Sequence, residues 1–343
     1  MKKILYFFLA LMFLFGCNEK KKEVIRIGAI LPLTGDLSPI GELGKNGLNA
    51  AKDYLNLING NNKIEILIED GQGNPTKSLL ALNKLISVEK VNVVFSIISS
   101  VDLSILPIQE QKKFLFVSHS THPNLSNVNN LVFRHSPTVE QESQILLEYL
   151  NNRNKIAIAY MADEYGEAFK NILSDSIPNA FLISFPKGEF NFQSIASKIV
   201  SFKPETVIIC GAGISLSNLV IKLREQGYSK EIISTLAYKV SGASSLTRNI
   251  KNLTLIDFKD VEHNNLYNTI DSMFVKKYNR HISTPEILFF NSVLMIYYSS
   301  HNDSNIDSIA KQLKERKNFS LIGKVKITQG NDILPELKII NQK

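Results

Sequence analysis

Val24-Ile-Arg-Ile-Gly-Ala-Ile-Leu31 is a β-rich run, residues 41–57 carry a helical pattern, and Lys63-Ile-Glu-Ile-Leu-Ile-Glu69 returns to β. Working outward, the alternation continues. A helix is predicted at 76–87, a strand at 91–97, a helix at 103–111 and a strand at 114–117. A second series opens near Thr138, with helices at 139–150, 164–173, 192–201 and 215–226. Strands at 155–160, 180–184, 207–210 and 231–234 are interleaved with them. Such alternation with short loops predicts parallel sheets flanked by helices, an α/β class. Residues 133–138, with Pro137, read as the crossover between two lobes. After a strand at 253–256 the pattern turns helical, 287–298 reading as a buried helix. The chain then closes with short β runs at 322–327 and 337–340. Two such sheets create a cleft at the carboxyl ends of their strands, where helix N-termini and loop amides converge.

Bulk properties narrow the function. The chain of 343 residues is 44% hydrophobic and 21% charged, globular and long enough for two cores. The formal charge of +7 falls to +5 if the two lysines Lys2 and Lys3 leave with a leader. The remaining lysines are scattered, with no arginine-rich stripe and no interleaved aromatics, so nucleic acid is not an expected partner. Lys2 and Lys3 precede an unbroken apolar run, 4–15, too short to span a bilayer comfortably. Leu14-Phe15-Gly16-Cys17 then resembles a bacterial lipobox, although Phe15 is bulkier than the usual residue there. The expectation is a signal peptide at 1–16, lipid on Cys17 and a polar tether at 17–23, its lysines aiding attachment to anionic head groups. An ordinary secretory signal cut elsewhere is the alternative. Either places the protein outside the cytoplasm, on the membrane through its anchor in the first case. Cys210, the other of two cysteines, lies in a buried strand pattern and reads as a small core residue.

The order of motifs is similar to a known family. Ile25-Arg-Ile-Gly-Ala-Ile-Leu-Pro-Leu-Thr-Gly35 and Gly41-Glu-Leu-Gly-Lys-Asn-Gly47 resemble the opening of leucine/isoleucine/valine-binding proteins. These are the type I periplasmic solute receptors of branched-chain amino-acid ABC importers. The similarity continues through Glu69-Asp70-Gly71 with Asn74-Pro75, Ile98-Ser99-Ser100, Ser118-His-Ser-Thr121, Phe133-Arg134, Tyr165-Gly166 and Arg224-Glu-Gln-Gly227. It implies two Rossmann-like lobes joined by three crossovers: lobe one at 24–136 and 257–322, lobe two at 137–256 and 323–343. It also implies no enzymatic activity and no cofactor, with a small carboxylate or amino-acid ligand and an ABC permease as partners. Carried over position by position, Ser100 and Thr121 would hold the ligand carboxylate, with Ile98, Ser99 and backbone groups of His119 or Ser120 completing the cradle. Hydroxyl and amide donors at helix N-termini stabilise an anion without a buried counter-charge. Tyr165 would lie over the ligand from lobe two. Ser100 as a helix cap and Tyr165 as a packing residue are the structural alternatives.

Three positions depart from the family pattern. Ile40 stands where an aromatic is usual, and Ala212 where a tyrosine is usual. Leu236 and Ala237 follow strand 231–234, where a carboxylate would hold the ligand's ammonium. A larger, less polar carboxylate fits such a wall better than a standard α-amino acid, and a ligand-degenerate adaptor or sensor is the alternative function. Other motifs are weaker. Gly211-Ala-Gly213 lacks the third glycine of a dinucleotide fingerprint, and Gly44-Lys45 lacks the rest of a phosphate loop. His119, His122 and His135 suggest loop histidines more than a metal shell, and Ser100 lacks a nucleophile elbow.

Overall fold

The computed structural model describes residues 24–59, 64–151, 153–300, 303–315, 319–323, 325 and 327–342. The leader, Cys17 and the tether lie outside them. The first sheet holds β1 (Ile25–Leu31), β2 (Ile64–Asp70), β3 (Val93–Ser96), β4 (Leu115–Ser118), β5 (Val132–His135) and β11 (Asp332–Ile333). Its order is β2-β1-β3-β4-β5-β11, and every pairing is parallel. The second holds β6 (Ile156–Met161), β7 (Phe181–Phe185), β8 (Thr206–Cys210), β9 (Glu231–Ser234), β10 (Leu253–Phe258) and β12 (Leu337–Gln342). Its order is β7-β6-β8-β9-β10-β12, parallel except for β12 against β10.

Helices cover both faces of each sheet, which is why the strands read as continuous apolar runs. In chain order they are α1 (Ser38–Asn59), α2 (Pro75–Ser87), α3 (Ser99–Lys112), α4 (Val139–Leu150), α5 (Glu164–Ser176) and α6 (Gln193–Phe202). Then come α7 (Leu216–Glu225), α8 (Leu236–Val240), α9 (Ala243–Leu246), α10 (Asn265–Tyr278), α11 (Thr284–Ser299) and α12 (Ile306–Glu315). Side chains alternate between the two layers. Ile27, Ala29 and Leu31 of β1 join the core under α1 and α11, whereas Ile30 joins the one under α2 and α3. In β8, Val207 and Ile209 face one core of the second lobe, and Ile208 and Cys210 the other. Cys210 is a buried free thiol whose pKa burial pushes upward.

The chain passes between lobes three times, at 136–138, 259–264 and 334–336. Details differ from the expected boundaries. Residues 257–258 complete β10 in the second sheet, and 332–333 form β11 in the first. Strand β5 occupies 132–135, the first half of the expected crossover at 133–138. Its Arg134 is 1% exposed and its Nε donates to Asp332 Oδ1 at 3.0 Å. That buried pair secures β11 beside β5. The expected strand at 322–327 is absent among its described residues, apart from a bridge from Ile327 to Ile333. Instead, buried Asn291 of α11 holds the backbone of Ile322, donating to its carbonyl at 2.9 Å and accepting from its N–H at 3.1 Å. No helix among the described residues is long and apolar enough to cross a membrane.

Candidate functional site

A cavity of about 100 Å³ lies between the lobes, at the carboxyl ends of β1, β3 and β4 on one side and β6, β8 and β9 on the other. Its first-lobe wall includes Ile40, Ile98, Ser99, His119, Ser120 and Thr121. Tyr165, Ala212, Leu236 and Ala237 face them from the second. Ser100, the second residue of α3, does not line the cavity, although its Oγ is buried with no hydrogen-bond partner. That oxygen meets no histidine base.

The first-lobe wall begins at the N-terminus of α3. Ile98 occupies its N-cap and no side chain caps the helix, the one acid of its first turn being Asp102, so the amides at this helix end carry no capping bond. Thr121 follows β4, and its Oγ1 is also buried and unpartnered. The two backbone donors expected beside it are occupied: His119 N–H donates to Ser96 O at 2.7 Å, and Ser120 N–H to Ser118 Oγ at 3.1 Å. The Ser120 hydroxyl donates to Asp102 Oδ2 at 2.8 Å. These groups fix the loop, leaving Thr121 as its open hydroxyl.

His119 stacks on Phe289 with ring centroids 3.7 Å apart, and shares the Ser292 hydroxyl with His135 at 3.0 and 2.8 Å. Burial holds both rings neutral, driving His119 well below the usual range and His135 to about 3. His122 turns outward to receive the Asn124 N–H. Among the described residues no three His, Cys, Asp or Glu side chains gather where a metal ion could sit.

On the second lobe, the Tyr165 hydroxyl donates to Thr235 Oγ1 at 2.9 Å and its ring meets Phe169 edge-on. It therefore packs the start of α5 and lines the cavity together. Three charged residues that the sequence reading passed over also line it: Glu142, Asp163 and Lys187. Asp163 caps α5, accepting from Gly166 N–H at 3.0 Å, and burial raises its pKa. Lys187 crosses the cleft to donate to Gly73 O at 2.6 Å, with its pKa lowered by burial. Glu142 is fully buried. Its Oε2 accepts the Leu236 N–H at 2.8 Å, and burial pushes its carboxyl up to about 8. A signal for it existed: the buried stripe of α4 runs through 139, 142, 143, 146 and 150, so Glu142 occupies an apolar position of the helical period.

A second contact joins the lobes at the rim. Asp36, in the loop after β1, accepts from the N–H and Oγ of Ser215 at 2.9 and 2.8 Å. Ser215 is the N-cap of α7, so a carboxylate of one lobe caps a helix of the other.

A family model described as periplasmic binding protein matches residues 24–300. The chain is 28% identical over 200 residues to the Leu/Ile/Val-binding protein BraC3 of Rhizobium johnstonii, a stretch covering 54% of each. It is 23% identical over 239 residues to an amino acid binding protein of Pseudomonas aeruginosa, covering 66% of this chain and 64% of that one. The matched stretches thus span between about half and two thirds of these relatives. The fold is also that of a branched-chain amino acid transporter substrate binding protein, LivJ of Streptococcus pneumoniae, solved with isoleucine. There the TM-score is 0.83 at 18% identity, covering 93% of this chain and 96% of that one. An ABC-transporter solute binding protein of R. palustris, solved with benzoate, gives 0.78 at 15%, covering 93% of both.

Proposed function

The chain belongs to the periplasmic binding protein family, and from that premise we propose that it captures a small carboxylate-bearing solute between its lobes for an ABC importer. The observation that carries this reading is Thr121 Oγ1: buried, without a partner, on the wall of an interlobe cavity beside the uncapped N-terminus of α3. A carboxylate seated there receives a hydroxyl and the helix dipole, and each charge-assisted bond contributes about 1.5–3 kcal/mol. The two solved neighbours hold isoleucine and benzoate, which share only a carboxylate and an apolar body. The lining here has that character, with Ile40, Leu43, Met161, Leu288 and Phe289 around few polar groups. Binding would draw the lobes together, and the closed form would be what a permease recognises. The carboxylate cradle would be Thr121, Ser99 and the α3 amides, with Ser100 Oγ behind them. The lipobox-like segment supports attachment to the envelope through lipid on Cys17, which the mass of the N-terminal peptide would reveal.

Thermal unfolding with a panel of aliphatic and aromatic acids and amino acids tests the reading. A ligand at 100 times its dissociation constant stabilises by about 2.7 kcal/mol. Thr121→Val should then weaken that ligand by about tenfold or more. If no acid or amino acid stabilises the protein, the adaptor reading replaces this one.

A further inference from the structure

We infer that the outer end of lobe one is a membrane-docking face, which rests on anionic phospholipid head groups. This depends on the lipid attachment proposed for Cys17 and is independent of what the cleft binds. The cleft lies at the carboxyl ends of the strands, so the amino ends of β1 to β5 form the end of lobe one farthest from it. Val24 leads into β1 at that end. Cys17 stands seven residues earlier, a reach of at most about 25 Å. A lipid there holds this end of the lobe beside the bilayer.

The surface so held has the character such a contact needs. Five of the eleven large apolar side chains exposed among the described residues gather on it. Val24 precedes β1, Leu57 and Ile58 lie at the end of α1, Val88 follows α2 and Val128 precedes β5. Leu57 and Val88 are 65% and 68% exposed. Their backbone is tied down. Arg26 donates to Glu89 O at 2.9 Å and fixes the turn after α2, and Lys314 of α12 donates to Asn130 Oδ1 at 2.8 Å beside Val128. Lysines surround the apolar side chains, with Lys90, Lys112 and Lys113 exposed at the ends of α2 and α3. Of the acids here, Glu65 is held by Arg26 and Glu315 by Lys311, which leaves Glu89 and Glu110 against those three lysines and Lys314. Apolar side chains ringed by lysine suit the boundary between acyl chains and anionic head groups. The outer end of lobe two is also basic, at Lys203, Lys230 and Lys251, but the loops into β8, β9 and β10 expose no large apolar side chain. A short tether makes the contact intramolecular, so a weak attraction suffices. Strand β1 has seven residues, so the cleft stands about 23 Å above this face, with lobe two beyond it and free to close.

Hydrogen exchange on the full chain, processed by the cell and anchored to vesicles, tests this. Vesicles of phosphatidylcholine alone are compared with vesicles that also contain phosphatidylglycerol. With the anionic lipid, segments 87–91, 111–114 and 126–130 should exchange at least about fivefold more slowly, the factor expected from one lysine at an anionic surface. High salt should abolish that protection. Segments 203–205 and 228–231, at the outer end of lobe two, should not change. Lys90→Gln with Lys112→Gln, and separately Leu57→Ser with Val88→Ser, should each cut the protection while the thermal midpoint in solution stays at the wild-type value. Equal exchange on the two kinds of vesicle, or equal protection at both ends of the molecule, overturns the docking face and leaves the anchor. Protection of the same segments without vesicles, rising with protein concentration, makes this face a contact between copies and overturns it too. If the mass of the N-terminal peptide shows no lipid, anchor and face fall together, and capture of a carboxylate still stands on its own test. The vesicle comparison uses the wild type alone, so a variant that fails to fold leaves the test intact.

Discussion

Asp102 is fully buried on α3, where its Oδ2 accepts hydroxyl hydrogens from Ser118 and Ser120. These serines flank His119, so one carboxyl ties down the loop that carries Thr121. Burial outweighs the serine hydrogen bonds and pushes the Asp102 pKa from 3.8 to about 6. Between pH ~4 and ~6 the folded chain therefore keeps a proton that the unfolded chain has lost. Stability falls as pH rises through that window, by about 1.4 kcal/mol per unit for one proton. Asp102→Asn cannot lose that proton. Urea unfolding should show the variant gaining on the wild type from pH 4 to 6.5, then holding level; a constant difference throughout would refute the account. Asp102 and Glu142 also explain what the sequence concealed. An acid on a helix normally reads as solvent-facing, and only the positions of its buried neighbours betray it. That Thr121 lines the cleft was legible from its loop position after β4. Ser100 fitted the same chemistry but does not line the cavity.

At the level of elements, the glycine spacing of α1 that carried the family resemblance has a packing cause. A Cβ on Gly44 would meet the Phe289 ring of α11 at 3.0 Å, and one on Gly47 would meet the Glu286 carbonyl at 2.3 Å. Helix α1 thus presses its backbone on α11, whose residues are buried almost all round. Gly47→Ala should force the helices apart and cost about 1–3 kcal/mol, read as a lowered denaturant midpoint with an unchanged slope. A midpoint equal to wild type would mean that the contact yields freely. The same logic sorts the strands by legibility. Those covered on both faces, such as β1, β3 and β8, are mostly apolar, with one polar residue each in Arg26, Ser96 and Thr206, and could be read directly. Strand β5 was hidden because Arg134 and His135 break its run, and the buried arginine is tolerable because the distant Asp332, the His122 carbonyl and the Ser126 hydroxyl all accept from it. The reverse error came at 322–327, where Ile322 is held by Asn291 of a helix and Ile327 meets Ile333 in an isolated bridge.

On the scale of the molecule, closure depends on contacts remote from the cavity floor. Asp36 caps α7 of the opposite lobe through Ser215, and Lys187 reaches Gly73. Gly213 makes room for the first of these. A Cβ there would lie 1.9 Å from Asp36 Oδ2, and its φ of +122° suits glycine alone. The glycine that fails as part of a dinucleotide fingerprint is thus the seat of a latch. Because ligand and latch both favour the closed form, losing the latch lowers the population competent to hold ligand. Two part-buried rim hydrogen bonds, each contributing about 0.5–1.5 kcal/mol net, shift that equilibrium by about tenfold. Asp36→Ala should therefore weaken apparent affinity by about that factor through faster release, although Asp36 does not line the cavity. Small-angle scattering should show a larger radius of gyration for the ligand-free variant, with the two variants' radii converging on wild type once ligand saturates Asp36→Ala and Gly213→Ala alike. If affinity drops while the ligand-free radius stays at the wild-type value, Asp36 acts on the ligand directly and the latch is refuted.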